Sequence, residues 1–302
     1  AMNAKKTKKI VVLATGGTIA GLANDATKPQ NYTAGQVDVA DLLRGVAADG
    51  LELLTEQVAQ IDSKDMSFAV WQSLLARVAH CLEQDDVQGV VITHGTDTLE
   101  ETAYFLQTVL QPSKPVAMTC AMLPANAPGS DGPGNLKDAL SWVQQPNAIG
   151  VTVVCAGQVH AGNAVQKSHS HQRNPFTSQA GVTHPVALRV PSVAQVLACT
   201  HWPRVELVQN HAAADGRLVR AMMAHDAPQG WVVAGTGNGT LHHDLEAALL
   251  DAQKQGAQVL RASRCAQGGV QSRDADALPH AGGLTAVQAR VALLLHLLEQ
   301  SA

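Results

Sequence analysis

Residues 13–21 read LATGGTIAG, and residues 91–106 read VITHGTDTLEETAYFL. In both stretches, an apolar run typical of a strand buried on both faces breaks into a turn rich in glycine and hydroxyl side chains. Open α/β sheets bind their ligands at such strand ends. The two turns therefore predict a site that holds two threonines, Thr18 and Thr96, together with the carboxylate of Asp97.

The first turn admits more than one interpretation. Gly16 and Gly17 let the backbone bend sharply and approach a ligand closely, and Thr18 follows them directly, while Thr15 is expected to support the turn. A phosphate-binding loop or a plain tight turn would use the same glycines. No dinucleotide-type glycine pattern follows, and no Gly-Lys-Ser/Thr occurs at this turn, so the sequence gives little support to a nucleotide site.

The second turn leads into a helix. Apolar side chains recur at helical spacing over residues 99–106, and Glu100 and Glu101 fall in the first turn, where the helix dipole favours acids. Taken alone, Asp97 could be an ordinary turn residue and Thr98 an ordinary N-cap.

Alternation of strand and helix patterns along the chain predicts an α/β fold with mainly parallel sheets. Strands are predicted at residues 10–14, 87–93, 116–119, 150–155, 205–209, 230–234 and 258–262. Helices are predicted at residues 39–46, 67–83, 98–109, 135–143, 215–223, 244–255 and 286–298. Residues 163–203 break this rhythm and are expected to form an irregular connector.

The length of 302 residues suggests two domains, and 46% hydrophobic residues are enough for a large core. We place the domains at residues 1–200 and 201–302, with a connector at about 185–203. The net charge of −4 gives no reason to expect nucleic acid or an anionic membrane as a partner. No apolar run reaches the roughly 20 residues of a membrane span. The basic residues 1–9 lack the apolar region of a signal peptide, so we expect a cytoplasmic protein; the alternative is a periplasmic protein whose signal peptide has been removed.

Cysteine and histidine usage predicts no metal and no cofactor. The five cysteines form no CxxC motif, and Cys120 and Cys155 are expected to be buried, reduced thiols. His169-x-His171 and His242-His243 are the close histidine pairs, and no HExxH motif occurs. We expect these histidines to be solvated loop residues.

At these turns the chain resembles the bacterial-type L-asparaginases. The specific part of the resemblance is the pair TGGTIAG (residues 15–21) and HGTDTLEETA (residues 94–103). It runs from about residue 9 to the C-terminal helix through weaker motifs: Asn31-Tyr32-Thr33, Ser63-Lys64-Asp65-Met66, Ser130-Asp131-Gly132-Pro133 with Asn135, Lys167, and Gly237-Asn238-Gly239. The fold class expected is α/β, with a larger N-terminal doubly wound domain and a smaller C-terminal Rossmann-like domain.

The resemblance implies an amidohydrolase that converts L-asparagine to L-aspartate and ammonia without metal or cofactor. It implies that Thr18 attacks the side-chain amide, that Tyr32 lies on a mobile lid at residues 21–33, and that Thr96, Asp97 and Lys167 form a second catalytic group. Lys167 would be partly desolvated beside a carboxylate, although an exposed lysine would be ordinary in this polar stretch. The order in which the threonines act is not fixed by the sequence. Backbone N–H groups near Thr96 and the turn at residues 16–18 are natural oxyanion donors.

Substrate binding is expected to involve the turn glycines and the residues that hold the free amino-acid end. The resemblance implies that Ser63 binds the α-carboxylate and Asp97 the α-ammonium, with Gly17, Gly95 and Thr96 also lining the site. Ser63 could also be an N-cap, a role compatible with anion binding.

Three places depart from the family pattern. The stretch Pro124-Ala125-Asn126-Ala127-Pro128 differs from the usual sequence without removing a catalytic group. Lys64 stands where a glutamine or glutamate is common, and it would oppose the substrate ammonium unless it points away or pairs with an acid. Asp276 is the nearest match to a glutamate that reaches a neighbouring subunit's site, and it is one methylene shorter.

The resemblance further implies a homotetramer built from close dimers, in which Asn238 reaches a partner's site, although residues 237–239 could equally be an ordinary glycine-rich turn. The alternative functions are a glutaminase-asparaginase of broader specificity, an amidotransferase component acting on charged tRNA, which the acidic net charge argues against, and a non-catalytic amino-acid binder.

Overall fold

A six-stranded sheet organises the first part of the chain in the computed structural model, which describes residues 8–44, 51–179 and 187–302. This first unit ends at Ser178. Its strands are β1 (Lys9–Gly16), β2 (Leu22–Ala23), β3 (Tyr32–Thr33), β4 (Glu52–Ile61), β5 (Val87–Thr93), β6 (Pro115–Thr119), β7 (Gly150–Cys155), β8 (Gln158–Ala161), β9 (Val165–Lys167) and β10 (Phe176–Ser178). Its helices are α1 (Val39–Leu42), α2 (Phe68–Glu83), α3 (Leu99–Leu110) and α4 (Gly132–Trp142).

The large sheet has the strand order β4-β1-β5-β6-β7-β8. All neighbouring pairs from β4 to β7 are parallel, and only β8 pairs antiparallel, with β7. Two small hairpins pair β2 with β3 and β9 with β10. Parallel pairing brings the carboxyl ends of β1, β5 and β6 to the same edge, and the turns that follow them meet there.

The sheet is buried because helices pack on both of its faces. Helices α1 and α4 close one core cluster over β1, β5 and β7, and the central valines and leucines of these strands are fully buried. Helices α2 and α3 pack against β5 and β7, and the rings of Trp71 and Phe105 stack between them at 4.6 Å. Coverage on both faces explains why β1 and β5 read as continuous apolar runs.

The second unit begins at Gln179 and contains a three-stranded parallel sheet of order β11-β12-β13. Its elements are α5 (Val193–Ala198), β11 (Val205–Gln209), α6 (Arg217–His225), β12 (Gly230–Gly235), α7 (His243–Lys254), β13 (Gln258–Ser263) and α8 (Ala286–Ser301). Helices α6 and α7 cover the fully buried Trp231, and α8 packs along all three strands.

The predicted α/β class with mainly parallel sheets is confirmed, and each of the seven predicted strands is present within one or two residues of its expected bounds. The predicted helices are present as well, although α1 is shorter than residues 39–46. Its described turn ends at Leu42, and residues 45 and 46 lie outside the described residues.

The prediction omits strand β4 and treats residues 163–203 as irregular. β4 is an edge strand that is buried only in part, so its sequence ELLTEQVAQI lacks the apolar run of a central strand. The supposed connector contains β9, β10 and α5, and α5 packs against α8 in the second unit. The domain boundary near residue 200 stays a prediction, and residues 180–186 lie outside the described residues.

Within the described part of the chain, no helix is long and apolar enough to cross a membrane.

Candidate active site

The turn after β1 places Thr18 at the carboxyl edge of the sheet. Gly16 and Gly17 adopt φ values of +107° and +81°, which favour glycine. Thr18 then opens a single 3₁₀ turn at Thr18–Ala20, and its side chain is buried. As expected, Thr15 supports the turn, since its hydroxyl donates to the carbonyl of Thr93 at 2.8 Å.

Three separate sequence segments meet at Gly95. A Cβ at position 95 would lie 2.5 Å from Ser63 Oγ, and one at Gly17 would lie 2.4 Å from the amide nitrogen of Gly95. These separations leave no room for a side chain at either glycine. The turns after β1, β4 and β5 are therefore in direct contact. As a result, Thr18, Ser63 and Thr96 lie on adjoining turns at the same edge of the sheet.

The polar groups of Gly17 are already used within the protein. Its N–H donates to the carbonyl of Ile61 at 2.8 Å, and its carbonyl accepts from the N–H of Gly35 at 2.9 Å. The N–H of Gly17 is therefore not a free oxyanion donor.

Tyr32 faces Thr18 from the lid, which we define as residues 21–33. The phenol oxygen of Tyr32 lies 2.6 Å from Thr18 Oγ1. The lid is a small hairpin in which Ala23 pairs with Tyr32 and Leu22 with Thr33. Tyr32 is 38% exposed, whereas Thr18 is buried.

Thr96, Asp97 and Lys167 form a second polar group. Lys167 Nζ lies 2.8 Å from both Thr96 Oγ1 and Asp97 Oδ1. The lysine side chain is 16% exposed and that of Asp97 is 56% exposed, so the charge pair spans the boundary between the interior and solvent. The Lys167 ammonium therefore donates to both the Thr96 hydroxyl and the Asp97 carboxylate.

Glu100 lies next to this group, although the sequence predicted for it only a favourable interaction with the helix dipole. Its Oε1 accepts from the backbone N–H of Lys167 at 3.3 Å. Burial raises the pKa of the Glu100 carboxyl to about 7. The helix-dipole interpretation of Glu100 is therefore incomplete, because the side chain also ties α3 to β9.

Ser63 is buried and is not a helix N-cap, so that interpretation is wrong. Asp62 caps the single turn Ser63–Asp65, and Ser67 caps α2. The Ser63 carbonyl accepts from the hydroxyl of Thr98 at 2.8 Å. Thr98 does occupy the N-cap position of α3, yet its hydroxyl makes no capping bond there and instead fixes the Ser63 turn.

Lys64 pairs with an acid, which is one of the two arrangements in which it would not repel a substrate ammonium. Its Nζ lies 2.7 Å from Asp65 Oδ2, and its side chain is 63% exposed. The hydrogen bond to Asp65 raises the pKa of the Lys64 ammonium. The positive charge of Lys64 is therefore balanced locally.

A buried relay, which is a row of hydrogen bonds from Trp71 to the Gly95 carbonyl, orients the peptide group between Gly95 and Thr96. Trp71 Nε1 donates to Thr102 Oγ1 at 3.0 Å, and Thr102 lies 2.9 Å from His94 Nε2. The other ring nitrogen of His94 is 2.7 Å from the Gly95 carbonyl. Burial lowers the pKa of His94 to about 4, so the ring is neutral near pH 7 and its protonated Nδ1 donates to Gly95. A lone histidine in a turn gave no sequence signal for this relay.

Asn238 and Asp276 belong to the second unit, and each has partners there. The Asn238 side-chain amide bonds the backbone of Gln271 through both of its ends, at 2.9 and 2.7 Å. Asp276 lies 2.9 Å from the guanidinium of Arg261 and accepts from the N–H of Arg273. Each side chain still has hydrogen-bonding capacity, because Asn238 has a second N–H and the carboxylate oxygens have further lone pairs.

The histidines and cysteines are placed as follows. Among the described residues, the cluster with metal-ligand spacing is His242, His243 and Asp244 at the start of α7. His242 accepts the N–H of Asp244 there, which is a helix-capping role. Cys120 and Cys155 are buried free thiols, as predicted.

Comparison with known proteins gives the class of the chain. Residues 9–192 match the family model "Asparaginase, N-terminal", and residues 204–302 match "Glutaminase/Asparaginase C-terminal domain". The chain therefore belongs to the asparaginase family.

Particular relatives are similar over most of their length. L-asparaginase 2 of Escherichia coli (strain K12) is 36% identical over 95% of this chain and 88% of its own length. A glutaminase-asparaginase of Pseudomonas fluorescens biotype A is 33% identical over 90% of this chain and 79% of its own. The solved structure of a probable cytoplasmic L-asparaginase from Campylobacter jejuni has a TM-score of 0.88 at 32% identity and covers 98% of this chain and 97% of its own.

Proposed function

We propose that this enzyme hydrolyses the side-chain amide of L-asparagine to L-aspartate and ammonia through an acyl-enzyme on Thr18. One observation carries the proposal. Two hydroxyl-bearing turns are locked together through Gly17 and Gly95, with Tyr32 at 2.6 Å from Thr18 on one side and Lys167 at 2.8 Å from Thr96 on the other. The relatives named L-asparaginase support the choice of substrate.

In the first step, Thr18 Oγ1 bonds to the amide carbon, and the carbon–nitrogen bond breaks. The hydroxyl proton of Thr18 leaves along the short hydrogen bond to Tyr32 and ends on the amide nitrogen, which departs as ammonia. The N–H groups of Thr18 and Thr96 are the proposed donors to the oxyanion, since the N–H of Gly17 is bound to Ile61.

In the second step, water hydrolyses the ester and Thr18 regains its proton. Thr96, held by Lys167, orients that water, whose oxygen bonds to the acyl carbon. The water's proton passes to Thr18 Oγ1 as the ester bond breaks, and Asp97 keeps Lys167 in position. The α-carboxylate of the substrate would bind at buried Ser63, and the exposed part of Asp97 would bind the α-ammonium. Lys64, balanced by Asp65, would lie beside this end of the substrate without repelling it.

Ammonia release from L-asparagine and from L-glutamine tests the proposal. Thr18→Ala should lower turnover by at least about a thousandfold, and the exposed Thr55→Ala on β4 should keep wild-type turnover. A Thr18→Ala protein that binds asparagine while the wild type releases no ammonia would identify a binder instead. Comparable kcat/KM for both amides would favour a glutaminase-asparaginase, as the similarity to the Pseudomonas fluorescens protein suggests.

We further propose a homotetramer, a dimer of dimers in which Asn238 and Asp276 of one subunit complete the site of another. The remaining hydrogen-bonding capacity of both side chains supports this. Sedimentation of the wild type, with kinetics of Asn238→Ala and Asp276→Ala, tests it. A monomer with full activity would refute it.

A cytoplasmic location is proposed on the likeness to the Campylobacter jejuni protein. The alternative is periplasmic, since a probable periplasmic L-asparaginase of Haemophilus influenzae is 32% identical. Cell fractionation of the natural host distinguishes the two.

A further inference from the structure

The first strand of the lid is bound by a residue from a distant part of the chain. Asn126, in the loop between β6 and α4, donates from Nδ2 to the carbonyl of Ala23 at 2.8 Å. The N–H of Ala23 donates in turn to Asn126 Oδ1 at 2.9 Å. The neighbouring Ala125 N–H donates to the carbonyl of Gly21 at 2.8 Å.

This contact reproduces a piece of a β-ladder. A side-chain amide offers one acceptor and one donor in the same plane, as a peptide does. Asn126 therefore binds both polar groups of Ala23 at once. The bond from Ala125 extends the contact to Gly21, where the lid begins.

The residue that Asn126 binds is the register partner of Tyr32. In the lid hairpin, Ala23 pairs with Tyr32 across the two strands. Fixing Ala23 consequently fixes the strand that carries the phenol, which lies 2.6 Å from Thr18 Oγ1. Displacement of β2 by even one ångström would lengthen that contact beyond hydrogen-bonding distance.

The loop that bears Asn126 is itself well anchored. The carboxylate of Asp131 accepts from the N–H groups of Met122 and Leu123, both at 2.9 Å. Ala127, next to Asn126, is buried and donates its N–H to the carbonyl of Pro124. Asn126 thus extends from a fixed base to a hairpin of only two residues per strand, which has little stability of its own.

We propose that Asn126 is a positioning residue that latches the lid and thereby holds Tyr32 against Thr18. The proposal rests on the proposed role of Tyr32 in hydrolysis. Asn126 does not reach the reacting atoms; it acts through Ala23 and the hairpin. Opening the lid for product release would break the two bonds to Asn126 while the anchored loop stays in place.

Hydrogen exchange of the lid amides, with steady-state kinetics, tests this. In the Asn126→Ala variant, the amide hydrogens of residues 21–33 should exchange with solvent about tenfold faster than in the wild type, because two hydrogen bonds are lost. The value of kcat/KM should fall by about tenfold for the same reason. Asn126→Asp keeps the acceptor for the Ala23 N–H and loses the donor, so its exchange should be intermediate. The control is Asn147→Ala. Asn147 is exposed and precedes β7, at the amino ends of the parallel strands and away from the lid, so lid exchange and kcat/KM of this variant should match the wild type.

If the lid amides of Asn126→Ala exchange at the wild-type rate, the proposal that Asn126 latches the lid is overturned. It is also overturned if exchange is accelerated equally throughout the first unit, because that result would indicate a folding defect. If Asn126→Ala does not fold, Asn126→Asp decides by the same criteria. Exchange is measured without substrate, so it reports on the latch even if the chain does not hydrolyse asparagine. Conversely, Tyr32→Phe, which loses one hydrogen bond between the lid and Thr18, should lower turnover more than Asn126→Ala while speeding lid exchange less, which separates the latch from the proposed chemistry.

Discussion

Gly17 and Gly95 are in backbone contact: a Cβ at position 17 would lie 2.4 Å from the amide nitrogen of Gly95. This contact joins the turn that carries Thr18 to the turn that carries Thr96. It brings together two sequence motifs that are remote along the chain, and the proposed chemistry depends on it.

Alanine at either glycine should therefore separate the motifs. We expect Gly17→Ala, which also strains a φ of +81°, to destabilise the fold by about 2–4 kcal/mol and to abolish turnover. Gly134→Ala in α4 is the control, since nothing lies within 4 Å of the added methyl group. It should leave turnover unchanged and stabilise by at most about 1 kcal/mol. Denaturant unfolding with ammonia assays checks both, and an active Gly17→Ala enzyme would refute the contact.

Lys167→Met should lower kcat by at least about a hundredfold, because it removes the group that bridges Thr96 and Asp97. Lys167→Arg should not restore the rate, since a planar guanidinium cannot take the place of the ammonium between both oxygens. The exposed Lys137→Met on α4 provides the control. Steady-state ammonia assays measure the effect, and a kcat within threefold of wild type would rule out a role for Lys167 in the chemistry.

Tyr32→Phe should lower kcat by about a hundredfold while changing stability little, because it deletes the hydrogen-bond partner of Thr18 at an exposed position. Tyr104→Phe removes the only other phenol of the chain, which is buried in α3. It should affect the unfolding free energy more than turnover. If Tyr32→Phe instead changed the unfolding free energy more than turnover, and Tyr104→Phe changed turnover more, the contact between Tyr32 and Thr18 would be incidental to catalysis.

Glu100 should make stability fall as pH rises. Its pKa is raised from the ordinary value of 4.5 to about 7 in the folded state. Between these values the folded protein keeps a proton that the unfolded chain releases, so this contribution is present below about pH 4.5 and lost by about pH 7. Glu100→Gln removes this pH dependence of the unfolding free energy. Between about pH 4.5 and pH 7, the unfolding free energy of the variant minus that of the wild type should therefore increase by up to about 3 kcal/mol.

Thermal unfolding at closely spaced pH values measures this difference. The control is Glu83→Gln at the exposed end of α2, whose difference from wild type should stay constant. A constant difference for Glu100→Gln as well would contradict the raised pKa.

The sequence predicts the central strands and the chemistry-bearing turns because each leaves a local signal. Buried parallel strands are apolar throughout, as β1 and β5 are, and their glycine turns are recognisable at once. Strand β4 leaves no such signal, since an edge position exposes much of it to water.

What the sequence does not disclose are contacts between remote residues. Asn126 reads as an ordinary loop asparagine, and only the structure shows that it binds Ala23 through two hydrogen bonds. Thr98 has the sequence of an N-cap, yet its hydroxyl bonds the Ser63 carbonyl. The raised pKa of Glu100 likewise arises from burial beside β9, which no spacing in α3 predicts.

In the proposed mechanism, Thr18 carries the acyl group. Acid quenching of the enzyme during turnover of L-asparagine, followed by mass spectrometry of its peptides, tests this directly. We predict an aspartyl ester on the peptide that contains Thr18, and no adduct in Thr18→Ala. An ester on the peptide that contains Thr96, or full turnover by Thr18→Ala, would contradict the account.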